Sequence, residues 1–180
     1  AFAGLESHLD RAWSLFERAR SHLDGANIDD VQIELYDLAF SLAELVGARI
    51  AIDYADGECG ADEQAFKRHI ALTFGAEAIS NLHNRLRQRA NAYGLRGEDL
   101  GNEHLDLVGL AQSPDFLCAL GEAFRARGGQ MPIAHLDEEK SLMRDAFRQF
   151  ADEQVAPLAE RIHREDLMIP DSILDGVRPV

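Results

Sequence analysis

Cysteine is nearly absent. Cys59 and Cys118 are the only two in the chain, with no Cys-x-x-Cys and no partner spacing for zinc. That excludes a disulfide framework and a zinc ribbon, and points to a reducing, cytoplasmic setting. Long apolar runs are missing as well. The greasiest stretch, residues 31–56, carries Glu34, Asp37, Glu44, Arg49 and Asp53, so nothing approaches the roughly 20 apolar residues of a membrane span. Positive charge is scarce: 18 Lys+Arg stand against 32 Asp+Glu, a net −14 that repels polyanions. The densest basic cluster, Arg85-Leu-Arg87-Gln-Arg89, reads as solvated surface rather than a nucleic-acid stripe. No Gly-x-Ser-x-Gly and no glycine-rich phosphate loop occurs. The N-terminus, Ala-Phe-Ala-Gly-Leu-Glu-Ser-His, has neither a cationic nor an apolar signal region, and both ends read as cut from something longer.

Helical periodicity is what remains, over a length of 180 residues that can hold a sizeable core. Leu5, Leu9, Trp13, Phe16, Ala19 or Arg20, and Leu23 recur at three and four, and Gly25 closes that segment. A second helix is expected from Asp29-Asp30 to Asp56, stopped by Gly57, with Leu35, Leu38, Ala39, Leu42, Leu45, Val46 and Ile50 inward. Ile33, Tyr36 and Phe40 give it a second greasy side, which predicts a central helix. A third runs from Asp62 to Tyr93 before Gly94, with Phe66, Ile70, Phe74 or Leu72, Ile79, Leu82, Leu86 and Ala90 as its stripe. Gly75 within it marks either a close crossing or a kink. A short segment at 103–112 follows, then Ser113-Pro114 as N-cap and first helical residue of a helix to about 127, stopped by Gly128-Gly129. After the linker-like 128–136, acids at Asp137-Glu-Glu open a new helix, Pro157 kinks or restarts it, and Ile169-Pro170-Asp171 begins another. The expected class is all-α: an antiparallel bundle over 1–127, a linker at 128–136, and a further helical region over 137–180.

Few residue groups suggest chemistry. Glu160-Arg-Ile-His163 has the Glu-x-x-His spacing of di-iron bundles, but such sites need a second pair and two more glutamates, and none is found. His69, His83 and His104 are isolated and read as surface or satisfied groove residues. Cys59 lies beside Asp56 and Glu58, which disfavour a thiolate. No catalytic, cofactor-binding or metal residue is therefore assigned between 1 and 180.

One stretch carries a family signature. An aromatic-acidic helix (Phe147, Phe150, Asp152, Glu153) runs into Val155-Ala-Pro-Leu-Ala159, then His163-Arg-Glu-Asp, Pro170 and Ile173-Leu174. This order resembles the opening helices of the FAD-dependent acyl-CoA dehydrogenases over about residues 137–180. Residues 1–130 would then precede the family's usual start, as in its 2-methylsuccinyl-CoA dehydrogenase branch. The stretches Glu34–Ala39 to Arg49–Ala55 and Phe66–Ala71 to Phe74–Ala78 are similar to two helices of the family's C-terminal bundle. The resemblance implies a parent enzyme in which a glutamate removes the α-proton of an acyl-CoA while the β-hydride passes to FAD, electrons leaving to an electron-transfer flavoprotein. The implied substrate is a short dicarboxylic acyl-CoA, branched or not, and the implied assembly a homo-oligomer. The family's flavin-contacting domain and base follow the matched part, so none is carried onto this chain. Residues 1–130, acidic and without a phosphate nest, are expected to be poor CoA binders and to serve in packing or subunit contact. The rival expectations are a free-standing helical interaction module and, below it, a carboxylate-bridged metal bundle.

Overall fold

A computed structural model describes residues 2–57, 59–131 and 136–177; of these, Ala3 is placed in its backbone only. The described chain is all-α, with no strand among those residues. It divides into two compact units, residues 1–132 and 133–180. Residues 132–135 of the expected linker lie outside the described residues.

Glycine and side-chain caps set the helix ends in the first unit. α1 spans Phe2–His22, and Gly25 turns the chain at φ +83°. Asn27 then accepts from the Asp29 amide and starts a 3₁₀ turn, Ile28–Asp30, so α2 (Gln32–Asp56) begins later than expected. The aspartates lie inside that turn instead of capping the helix. α3 runs unbroken over Ala61–Gln88. The expected extension to Tyr93 tightens into a 3₁₀ turn, Ala90–Tyr93, and ends at Gly94 in the left-handed region, φ +62°. α4 (Leu105–Ala111) and α5 (Pro114–Ala126) follow, and the Ser113 hydroxyl accepts from the Phe116 amide at 3.3 Å as expected of an N-cap.

α2 and α3 form an antiparallel hairpin. Arg85 pairs with Glu44 at 2.6 Å and Arg68 with Asp56 at 2.9 Å, so numbers fall along one helix as they rise along the other. α1 runs alongside α3 in the same direction, placing Leu5 against Gly75, Phe2 under the Arg68 guanidinium and His22 against Gly94. A Cβ at Gly75 would lie 2.7 Å from Leu5 Cδ1. Gly75 is therefore the close crossing, not a kink. The core joins Leu5, Leu9 and Phe16 to Leu45, Ile79, Leu82 and Leu86, closed over by Tyr93, Leu100 and Leu107. Each fully buried Leu or Ile contributes about 1.5–3 kcal/mol relative to its exposed state.

The buried face of α2 agrees with the expected one at Leu38 and Leu45 and departs from it elsewhere. It follows Leu38, Ser41, Leu45, Ala48, Ile52 and Ala55, while Leu42, Val46 and Ile50 are exposed. Small residues at 41, 48 and 55 let α3 approach, and the larger side chains are left on the outside. Nor is α2 central: Ile33 is 60% exposed and Tyr36 63%.

In the second unit, Asp137 caps α6 (Glu138–Phe150) by accepting from the Lys140 amide at 2.8 Å. A π turn over Ala151–Val155 leads into α7 (Ala156–Arg164), with Pro157 in its first turn. The helix is thus restarted at the proline: a widened turn absorbs the missing donor and the ring. α8 covers Asp171–Val177, and Gly176 lets the Phe150 ring approach its backbone. No described residue of this unit is buried. None of the described helices is long and apolar enough to cross a membrane.

Candidate functional site

Two surface features of the first unit differ from an ordinary solvated face. The first is apolar. Ile33, Tyr36, Phe40 and Ile50 lie on α2 at helical spacing that passes through Ala43 and Gly47, and all four large side chains are exposed. The Tyr36 and Phe40 rings meet tilted at 50°, with 4.7 Å between centroids. Gly47 lets the Phe74 ring of α3 lie against α2, since a Cβ there would be 3.1 Å from that ring. Leu42 and Val46 widen the stripe. A row of large apolar side chains left in solvent is unusual for a solvated helix face.

The polar groups beside this stripe are paired. Arg85 donates to both carboxylate oxygens of Glu44 and to the buried Ser41 hydroxyl, which itself donates to the Asp37 carbonyl. Arg89 pairs with Asp37, and the enclosed Tyr93 hydroxyl donates to the same carboxylate at 3.3 Å. Burial first, and the Asp37 charge next, push the Tyr93 phenol well above its ordinary value. The arginine cluster expected to be solvated is thus largely structural: Arg85 and Arg89, one turn apart, clamp α2, and only Arg87 points elsewhere, to Asn102.

The second feature is a half-open cleft of about 270 Å³. His8, Arg11 and Arg18 of α1 form one wall, His83 of α3 contributes from below, and Asp99, Glu103 and His104 close the other side. The isolated, satisfied histidines expected at 83 and 104 are instead a buried, stacked pair with ring centroids 3.6 Å apart. Neither Nδ1 has a hydrogen-bond partner among the described residues. Burial, then His104 and Arg87, push His83 down to about 4, and burial likewise lowers His104. Arg18 donates to Asp99 at 2.9 Å, and a hydrogen bond from its own amide, then the Arg11 charge and the Asn102 amide, hold Glu103 below the usual carboxylate range. No sequence signal marks this pair, because its members lie 21 positions apart on different elements.

The remaining candidates do not converge. His69 packs on Phe116, Glu160 pairs with Arg164 at 2.8 Å, and His163 is exposed. Both cysteines are free. Among the described residues no three of His, Cys, Asp or Glu are grouped to hold a metal. FAD does not fit this cleft, which is far smaller than a dinucleotide and is lined by ionisable groups.

No family model matches the chain. A stretch of 42 residues, 23% of the chain, is 50% identical to (2S)-methylsuccinyl-CoA dehydrogenase of Cereibacter sphaeroides. The match spans 8% of that protein's length. It supports a relationship to the acyl-CoA dehydrogenases and to an oxidoreductase.

Proposed function

We propose that the chain is the N-terminal part of an FAD-dependent acyl-CoA dehydrogenase that oxidises a short dicarboxylic acyl-CoA, 2-methylsuccinyl-CoA or close to it, to the enoyl-CoA. The observation that carries this reading is the 50% identity over 42 residues. The order of features from Phe147 to Leu174 agrees with it, as do the helical bounds of α6 to α8. In the parent, electrons pass to an electron-transfer flavoprotein, and the enzyme is a cytoplasmic homo-oligomer.

Within that parent, residues 1–132 are a packing element and not a catalyst. The exposed stripe of Ile33, Tyr36, Phe40 and Ile50, widened by Phe74, supplies the surface that rests on the catalytic body or on a neighbouring subunit. Such a face stabilises an assembly through area removed from water, at roughly 25 cal/mol per Å² before the costs of association. The test uses the full-length protein. Addition of 2-methylsuccinyl-CoA bleaches the flavin absorbance, and a mismatched long-chain thioester does not. Deleting residues 1–130 changes oligomeric state or solubility more than chemistry. A truncated enzyme that kept its assembly, stability and substrate preference would remove the packing role.

The self-contained core of residues 1–132 favours a second reading, a free-standing interaction module. The reading frame beyond Val180 separates the two: a β-rich middle domain supports the dehydrogenase and a stop codon the module.

A further inference from the structure

We infer that the cleft between α1, α3 and the 97–104 segment binds a small phosphoryl-bearing ligand. This does not rest on the dehydrogenase reading. α1 places His8, Arg11, Leu15 and Arg18 along one wall at a three-four-three spacing, which keeps them on one helical face. Opposite and beneath stand His83 and His104, only 8% and 6% exposed. Their two partnerless Nδ1 atoms are the only such buried side-chain atoms among the described residues, and both belong to this one cleft. A buried polar atom without a partner costs about 1–3 kcal/mol, so two in one place need an explanation, such as a ligand that engages the rings. A neutral ring that carries its proton at Nδ1 is a donor from the very atom left without a partner, and an acceptor oxygen there would satisfy it. Arg11 makes no hydrogen bond or ion pair with any described residue, and its charge acts only at longer range, on Glu103.

The carboxylates of the cleft are already engaged. Asp99 accepts from Arg18 and from the Arg96 amide, and Glu103 from its own amide and that of Asn102. The charged groups facing the histidine pair are therefore Arg11 and Arg18 from α1, Arg87 from α3, and Asp99 and Glu103 from the loop, with His8 at the rim. Those charges nearly balance while the imidazoles are neutral, so an anion enters together with a proton. A phosphate suits this better than a carboxylate. Its tetrahedral oxygens meet donors from two walls, and its second pKa of about 6 lets it carry that proton itself near neutrality. A carboxylate is planar and titrates near 4.

The test is a titration of the full 180-residue chain with inorganic phosphate, glycerol phosphate and, as controls, succinate and sulfate at matched ionic strength. It is read by thermal unfolding and by the imidazole resonances of His83 and His104. Phosphate is expected to raise Tm and shift both resonances, more at about pH 6 than at about pH 7.5, the two sides of the second phosphate titration. A stronger response to glycerol phosphate would assign an ester, and a stronger one to inorganic phosphate the free ion. Arg11→Ala, at an exposed position, should weaken binding about tenfold, the loss of one charge-assisted contact. No phosphate response at either pH, an equal response to succinate or sulfate, or unchanged binding by Arg11→Ala would overturn the assignment.

Discussion

The two units use similar helices to opposite ends. In residues 1–132, Leu5, Leu45, Ile79, Leu82 and Leu86 are sealed from solvent. In the second unit Leu142, Phe147, Met168 and Ile169 all remain exposed, although α6 and α7 are more cleanly amphipathic than α2 or α3. Amphipathicity thus measures the readiness of a helix to pack, not whether it has packed. α2 and α3 look poorly segregated because each meets partners on more than one side, or lies between a core and an exposed contact face. α6 and α7 keep a sharp apolar stripe with no buried residue beneath it among the described residues. Folding free energy therefore resides in the first unit, and the second needs a surface from elsewhere.

The largest expected effect tests that division. Leu82→Ala should cost about 3–4 kcal/mol, the usual cost of a sealed leucine, whereas Phe147→Ala should cost less than about 0.5 kcal/mol. Urea unfolding of the chain reads both, and similar losses would break the contrast. Next comes the close crossing. Gly75→Val places side-chain atoms where Leu5 already sits, so it should destabilise by about 2–3 kcal/mol. Gly176→Ala in the second unit should leave global stability within about 0.5 kcal/mol.

The third prediction concerns pH. His83 titrates at about 4 in the folded chain against an ordinary 6.5. The unfolded chain therefore takes up the proton first on acidification, so stability is lost as pH falls from about 6.5 to about 4 and levels off below. The loss should be about 1–2 kcal/mol, because the cleft admits some solvent screening. His83→Phe should flatten that branch of the urea-midpoint profile. The smallest effect compares two caps of the same geometry. Ser113→Ala should cost about 1 kcal/mol of global stability, whereas Asp137→Ala should lower helicity without moving the urea midpoint.

Much of this fold is legible in the sequence, and the boundaries most of all. Gly25, Gly94 and the Ser113-Pro114 pair mark ends through backbone conformation and capping, which are local properties. Pro157 likewise announces a disturbance, though not that a π turn would absorb it. Facing is less legible because it depends on neighbours. A stripe of Leu42, Val46 and Ile50 is as good an inner face for α2 as Ser41, Ala48 and Ala55 until the approach of α3 selects the small residues. Arg85 and Arg89 read as solvent groups because their partners, Glu44 and Asp37, lie some forty to fifty residues away. The stacked histidines were hidden for the same reason.

Amide hydrogen exchange of the 180-residue chain, followed by mass spectrometry, addresses the division most directly. Peptides covering Ile79–Leu86 should exchange only through global unfolding, and those covering Glu138–Phe150 and Ala156–Arg164 should exchange many orders of magnitude faster. Equal protection in both regions would mean that the second unit carries its own stabilising core, and the account of where this chain stores its stability would be wrong.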